Sequence, residues 1–192
     1  MQQRRRLMVF EEKTLSSEKI FEGKIINLRK DKVTTVNGTS YREIVEHKGA
    51  AVLAAVTDEG KMVMVRQFRK PAEKVMLEAP AGKIDPGEDA ETAALRELRE
   101  ETGYTAGKIE FLTKFYPCVG YSEEVLHLYL CTELTAGETE FDENEAIDIE
   151  EMDIDELFKM AMNGEIDDAK TAIAIFMVRE SALAGKFPGY KR

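Results

Sequence analysis

Ala79-Pro80-Ala81-Gly82-Lys83-Ile84-Asp85-Pro86-Gly87-Glu88 continues a short extended segment at residues 77–81. It leads into Asp89-Ala90-Glu91-Thr92-Ala93-Ala94-Leu95-Arg96-Glu97-Leu98-Arg99-Glu100-Glu101-Thr102-Gly103-Tyr104. This second part has the best helical pattern in the chain, expected over residues 89–102 and stopped by Gly103 just past the last turn. Glu97, Glu100 and Glu101 stand at i, i+3 and i+4, so one helical face gathers three carboxylates. A solvated acidic face would account for that on composition alone. The angular positions argue otherwise. At about 100° per residue from Ala90, Ala94 falls near 40°, Leu98 near 80° and Leu95 near 140°, while Glu101 falls near 20° and Glu97 near −20°. Both carboxylates therefore sit beside or inside the apolar stripe. Glu100 and Arg96 flank them, and Arg99 points to solvent. Carboxylates at the edge of a core are costly unless arginine, protonation or a metal neutralises them. Oxygen donors without imidazole or thiolate suit a hard cation, Mg²⁺ or Mn²⁺. The Gly- and Pro-rich approach can bring a bare carbonyl, such as that of Ala81, close to such an ion.

Outward from this stretch, residues 32–36 and 41–45 alternate β-branched and polar side chains around Asn37-Gly38, which predicts a hairpin with an Asn-Gly turn. Residues 50–56, the turn Asp58-Glu59-Gly60 and residues 62–68 read as a second strand pair whose first member is apolar enough to be buried. Further strands are expected at 109–115, 125–131 and 147–152, and helices at 155–162 and 168–183. Strands first, then strands mixed with helices, predict an α+β fold: a mixed sheet packed between helices, with the opening hairpin as a small lobe ending near residue 47.

The chain has 192 residues, 43% hydrophobic and 33% charged, enough for a sizeable core. Its 27 lysines and arginines against 37 aspartates and glutamates give a net charge of −10, which repels nucleic-acid backbones and anionic membranes. A phosphorylated ligand would then need a divalent cation as intermediary. Cys118 and Cys131 are too few for a disulfide framework or a four-thiolate zinc site, and His47 and His127 cannot make a three-histidine metal site. Met-Gln-Gln-Arg-Arg-Arg-Leu has no apolar run behind it, and no segment approaches membrane-spanning length, so a cytoplasmic protein is expected.

Gly82, five residues, Glu88, seven residues and then Arg96-Glu97-Leu98-Arg99-Glu100-Glu101-Thr102-Gly103-Tyr104 resemble the Nudix box, G-x5-E-x7-R-E-U-x-E-E-x-G-U, with U a bulky apolar residue. Every fixed position matches, and Tyr104 stands where an aliphatic residue is more usual. The resemblance implies hydrolysis of a nucleoside diphosphate linked to another moiety. By matched position Glu97, Glu100 and Glu101 are the metal ligands with the carbonyl of Ala81, Arg96 orients them, and Glu88 helps hold the cluster.

Beyond the box, the chain is similar to bacterial ADP-ribose pyrophosphatases. The likeness lies in Arg42-Glu43-Ile44-Val45-Glu46, Val65-Arg66-Gln67-Phe68-Arg69, Leu77-Glu78-Ala79-Pro80-Ala81-Gly82, Phe115-Tyr116-Pro117 through Gly120-Tyr121-Ser122-Glu123-Glu124, and Ile166-Asp167-Asp168-Ala169-Lys170-Thr171. This group implies an N-terminal lobe, residues 1–47, exchanged across a homodimer, and a hydrolase domain over residues 48–192. It implies Mg²⁺-dependent cleavage of ADP-ribose to AMP and ribose 5-phosphate, with Arg42 and Arg69 on the substrate and a carboxylate from the acidic run at residues 141–147 as the base. Glu143 is the first choice and Glu145 the second. Phe21 and Tyr121 are candidates to stack on adenine. Val119-Gly120 replaces the Pro-Gly common in the group, which keeps open another diphosphate sugar such as GDP-mannose. A non-hydrolysing ADP-ribose sensor is the alternative from a different functional class.

Overall fold

The structure is a computed structural model that describes residues 10–140 and 146–190. The described residues fall into two units. One runs through His47 and also takes in Cys118–Glu124; the other is Lys48–Pro117 with the residues from Val125 onward.

The first unit is a three-stranded antiparallel sheet of β1 (Thr14–Glu22), β2 (Asn27–Thr35) and β3 (Gly38–Glu46), in that order. The β2–β3 turn comes one residue earlier than the expected Asn37-Gly38 pair. Thr35 faces Gly38, so Val36 and Asn37 form the loop, and Gly38 with φ +127° supplies the positive φ that feeds the return strand. Cys118–Glu124, which the sequence reading placed with the later domain, joins this sheet. The amide of Val45 donates to the Tyr121 carbonyl at 2.7 Å, and that of Glu123 to the Val45 carbonyl at 3.1 Å.

In the second unit β4 (Ala50–Ala55) lies inside a four-stranded sheet ordered β7-β4-β9-β8, with β7 (Ala81–Lys83), β8 (Tyr104–Phe115) and β9 (Leu126–Ala136). It runs antiparallel to β7 and parallel to β9. β5 (Lys61–Arg69) belongs to a second sheet, between β6 (Lys74–Glu78) and β10 (Ile147–Asp153). The expected pairing of residues 50–56 with 62–68 does not hold: the two strands lie in different sheets, and among the described residues a single bridge, Val56 to Met62, pairs them. The reason is burial. All six residues of β4 are buried, so the strand needs cover on both faces and a partner on each edge, which a simple hairpin does not provide.

The two faces of β4 serve different layers. Ala50, Val52 and Ala54 pack with residues of α2 (Ile154–Met162) and α3 (Ala169–Leu183), including Leu157, Ile175 and Val178. Ala51, Leu53 and Ala55 pack with Ala93, Ala94 and Leu98 of α1 (Ala90–Thr102). This alternation places a mixed sheet between helices, as the sequence pattern predicts. No helix among the described residues is long and apolar enough to cross a membrane.

Candidate active site

Helix α1 begins where the sequence places it. Asp89 caps it by accepting from the amides of Glu91 and Thr92, both at 3.0 Å, an arrangement whose loss costs about 1 kcal/mol. Gly103, φ +72°, ends it with its amide on the Arg99 carbonyl. The buried face consists of Ala93, Ala94, Leu98, Glu101 and Thr102. Leu95, expected inside that stripe, is 40% exposed: the face is centred nearer Glu101 than the sequence reading put it. Glu101 is only 7% exposed, and it accepts the Ala81 amide at 3.0 Å.

One turn back, the Glu97 carboxylate lies against Gly82. A Cβ built on Gly82 would sit 1.8 Å from Glu97 Cδ, so the absence of a side chain at position 82 is what lets the carboxylate reach this place. Residues 79–82 are thus held against α1 by Glu101 on one residue and Glu97 on the next.

Arg96 organises the outer side of the cluster. Its Nε and Nη2 bind the Glu88 carboxylate at 3.0 and 2.9 Å, and its Nη1 reaches Glu97 at 2.7 Å and Glu100 at 3.0 Å. Nη2 also donates to the Lys83 carbonyl at 3.0 Å. All five N–H groups are used, a geometry only a planar guanidinium supplies. Glu88, ahead of Glu97 and Glu100, keeps Arg96 charged against the opposing cost of burial. Arg96 in turn holds the Glu88 carboxyl below its ordinary range.

As placed, no group of three His, Cys, Asp or Glu side chains among the described residues converges to hold a metal. The chemistry of the face nevertheless fits one. Its donors are carboxylate oxygens, the set a hard divalent cation takes, and Glu97 and Glu100 already share one cationic group, Nη1 of Arg96.

A second cluster lies behind residues 79–82, and the sequence reading missed it. Glu78, 2% exposed, receives both arms of Arg69 at 2.6 and 2.8 Å and also the ammonium of Lys170. Lys170 binds Asp168 at 2.8 Å. The hydroxyl of the fully buried Thr171 donates to Asp168 and accepts the Ala79 amide at 2.9 Å. A glutamate inside the apolar run Met76-Leu77-Glu78-Ala79 was the available signal, since such a residue needs a buried cationic partner. Burial disfavours the Glu78 carboxylate, but Arg69 and Lys170 outweigh it and hold the carboxyl below its ordinary 4.5. A group with a lowered folded pKa stabilises the protein above the unfolded value and loses that contribution as pH falls through the folded one. Wild-type urea midpoints should therefore fall on acidification below 4.5, and those of Glu78→Gln should fall less. Parallel acid limbs for the two proteins would refute this.

Arg42 lies in the first unit on β3. Its guanidinium pairs with Glu12, through Nε at 2.8 Å, and with the Tyr41 carbonyl and Ser40 hydroxyl. Phe21 and Tyr121, also in that unit, are exposed. Glu143 and Glu145 lie outside the described residues. Tyr104 closes the box half-buried, its hydroxyl on Glu151 at 2.6 Å and its pKa pushed up to about 12 by that carboxylate and by burial.

A capped helix thus turns Glu97 and Glu101 onto a glycine-bearing strand, and one arginine ties Glu88, Glu97 and Glu100 together. Residues 47–175 match the NUDIX domain, and the chain belongs to that family; it is a Nudix hydrolase. Residues 12–43 match the nucleoside diphosphate sugar hydrolase N-terminal domain. The chain is 49% identical to the ADP-ribose pyrophosphatase of Bacillus subtilis (strain 168) over 168 residues, 86% of this chain and 91% of that protein. It is 44% identical to the methanol dehydrogenase activator of Bacillus methanolicus over 182 residues, 93% of this chain and 98% of the other. In fold it is similar to the crystal structure of an ADP compounds hydrolase, with a TM-score of 0.80 over 93% of this chain and 97% of that one, at 23% identity. Nudix hydrolases generally work with a divalent metal.

Proposed function

We propose that this protein is a Mg²⁺-dependent pyrophosphatase that hydrolyses ADP-ribose to AMP and ribose 5-phosphate, acting as a cytoplasmic homodimer. The observation that carries the substrate is the 49% identity to an ADP-ribose pyrophosphatase across nearly the full length of both chains. The carboxylate face of α1 supports the chemistry. Glu97, Glu100 and Glu101, with the carbonyl of Ala81, would hold the metal, which supplies charge neutralisation on the diphosphate and a more acidic water. Arg96 keeps the carboxylates in register, and Arg69 and Arg42 bind the phosphates or ribose. Water oxygen bonds to one phosphorus, the bridging P–O bond breaks, and the water proton passes to Glu143, with Glu145 the second candidate.

The exposed outer strand β1, all nine residues of it, and the match of residues 12–43 support the first unit as a dimerisation lobe. Glu143→Gln should lower kcat by about 10²-fold or more with the half-saturating metal concentration little changed. Unaltered kinetics would transfer the role to Glu145.

The deciding experiment measures nucleotide release from ADP-ribose, GDP-mannose, UDP-glucose and 8-oxo-dGTP with Mg²⁺ and then with EDTA, alongside light scattering. AMP from ADP-ribose, abolished by EDTA, from a particle of dimer mass is the expected result. Best turnover of another sugar, or binding without turnover, would sink the substrate assignment, and a monomer would sink the dimer. The 44% relative named as a methanol dehydrogenase activator favours a second reading, in which the hydrolase alters the activity of a partner dehydrogenase. Adding the protein to such an enzyme, with and without EDTA, tests it.

A further inference from the structure

The Asp168-Ala169-Lys170-Thr171 run is not used by the chemistry above, yet it carries a dense set of hydrogen bonds outside the box. Asp168 caps α3 by accepting the Thr171 amide at 3.1 Å. From there a continuous chain of hydrogen bonds runs two ways. Through the Thr171 hydroxyl it ends on the Ala79 amide; through the Lys170 ammonium it reaches Glu78 and, past it, Arg69. Two anions and two cations balance within this set around the buried Glu78, so Glu78 is not an uncompensated charge.

The chain ends where the reaction needs order. Ala79 lies between β6 and β7, two residues before Ala81, whose amide is held from the other side by Glu101. Residues 79–82 are therefore clamped by α3 at one end and α1 at the other. The Pro80 carbonyl between them accepts the Leu53 amide at 2.8 Å. Arg69 commits Nε and Nη2 to Glu78, and its Nη1 has no hydrogen bond among the described residues. The guanidinium is fixed on one edge and open on the other, and it also feels the charge of Glu101.

We infer that Lys170 and Thr171 are positioning residues: anchored on the start of α3, they set the backbone of residues 79–82 against the α1 carboxylates and, through Glu78, aim the free edge of Arg69. This rests on the hydrolase reading above. A displacement near 1 Å at a reacting centre costs on the order of 10²-fold in rate, so loss of the anchor should be visible in turnover well before the fold fails.

The test uses the full-length protein with ADP-ribose and Mg²⁺ and reads kcat, KM, the half-saturating Mg²⁺ concentration and the thermal midpoint. Lys170→Met should lower kcat at least about tenfold and raise the Mg²⁺ requirement at temperatures far below its midpoint, and Lys170→Arg should recover most of the loss. Thr171→Val cuts the same chain at the Ala79 amide with little change of volume, and it serves equally if Lys170→Met does not fold. A lower midpoint with unchanged kcat and Mg²⁺ requirement, or no recovery by Lys170→Arg, overturns the inference. Wild-type protein that cleaves a different diphosphate sugar overturns only the substrate assignment, because the variant-to-wild-type ratio is then read on that sugar. Wild type silent on every diphosphate overturns both.

Discussion

Glu101→Gln should all but abolish turnover while leaving the fold intact. The amide of glutamine keeps an oxygen to accept the Ala81 N–H, now 3.0 Å from the carboxylate, so the packing of α1 on β7 survives. The lost quantity is a full negative charge at a site only 7% exposed, where water compensates little. On the proposed reading of Glu101 as a metal ligand, losing its charge should cost several kcal/mol, on the order of 10²–10³-fold in kcat. The measurement is AMP release at saturating Mg²⁺ together with a melting curve. A variant with wild-type activity at high Mg²⁺ would remove Glu101 from the chemistry and leave it a structural acceptor for the strand.

Gly82→Ala separates function from stability even more sharply. Its Cβ would fall 1.8 Å from Glu97 Cδ, a clash that must be relieved. The colliding atoms are the far end of a flexible side chain, so the carboxylate swings aside and the backbone stays put. Alanine also restricts the unfolded chain, which offsets residual strain, so stability should stay within about 1 kcal/mol of wild type. The displaced carboxylate, however, is a candidate metal ligand and a partner of Arg96. Activity should fall by about 10²-fold, with a raised metal requirement. A fully active Gly82→Ala enzyme would mean that the Glu97 carboxylate does its work from some other position.

These two residues illustrate what a sequence reader can reach. Helix α1 was legible because an apolar stripe at helical period runs up to Gly103, which stops it; that Asp89 caps its start came from the structure. Its acidic face was legible because carboxylates beside that stripe demand a partner. The fate of β4 and β5 was not. Both are apolar and joined by a tight turn, which reads as a hairpin, and only the need to cover both faces of Ala50–Ala55 sends β5 into another sheet. The Lys170 chain was equally hidden, because its links from Lys170 and Thr171 to Glu78 and Ala79 each span 92 residues. Arg42 shows the opposite limit. Its residue type suggests a phosphate contact, and nothing local in the sequence shows that its guanidinium also pairs with Glu12, 30 residues away.

The excursion of Cys118–Glu124 into the first unit bears on how the protein can be cut. The polypeptide passes between the units at residue 47 and again on either side of this seven-residue piece. A shortened chain beginning at Lys48 would keep Cys118–Glu124 but discard Val45, whose amide and carbonyl are its hydrogen-bonding partners. The orphaned segment would present bare backbone donors and acceptors, the sort of edge that recruits other chains into aggregates. Proteolysis in the segment before residue 48 would likewise leave a nicked molecule rather than a free catalytic fragment, because the β3 backbone still grips the loop at Val45. Anyone seeking a minimal hydrolase from this chain has to redesign residues 118–124 as well as remove the first 47.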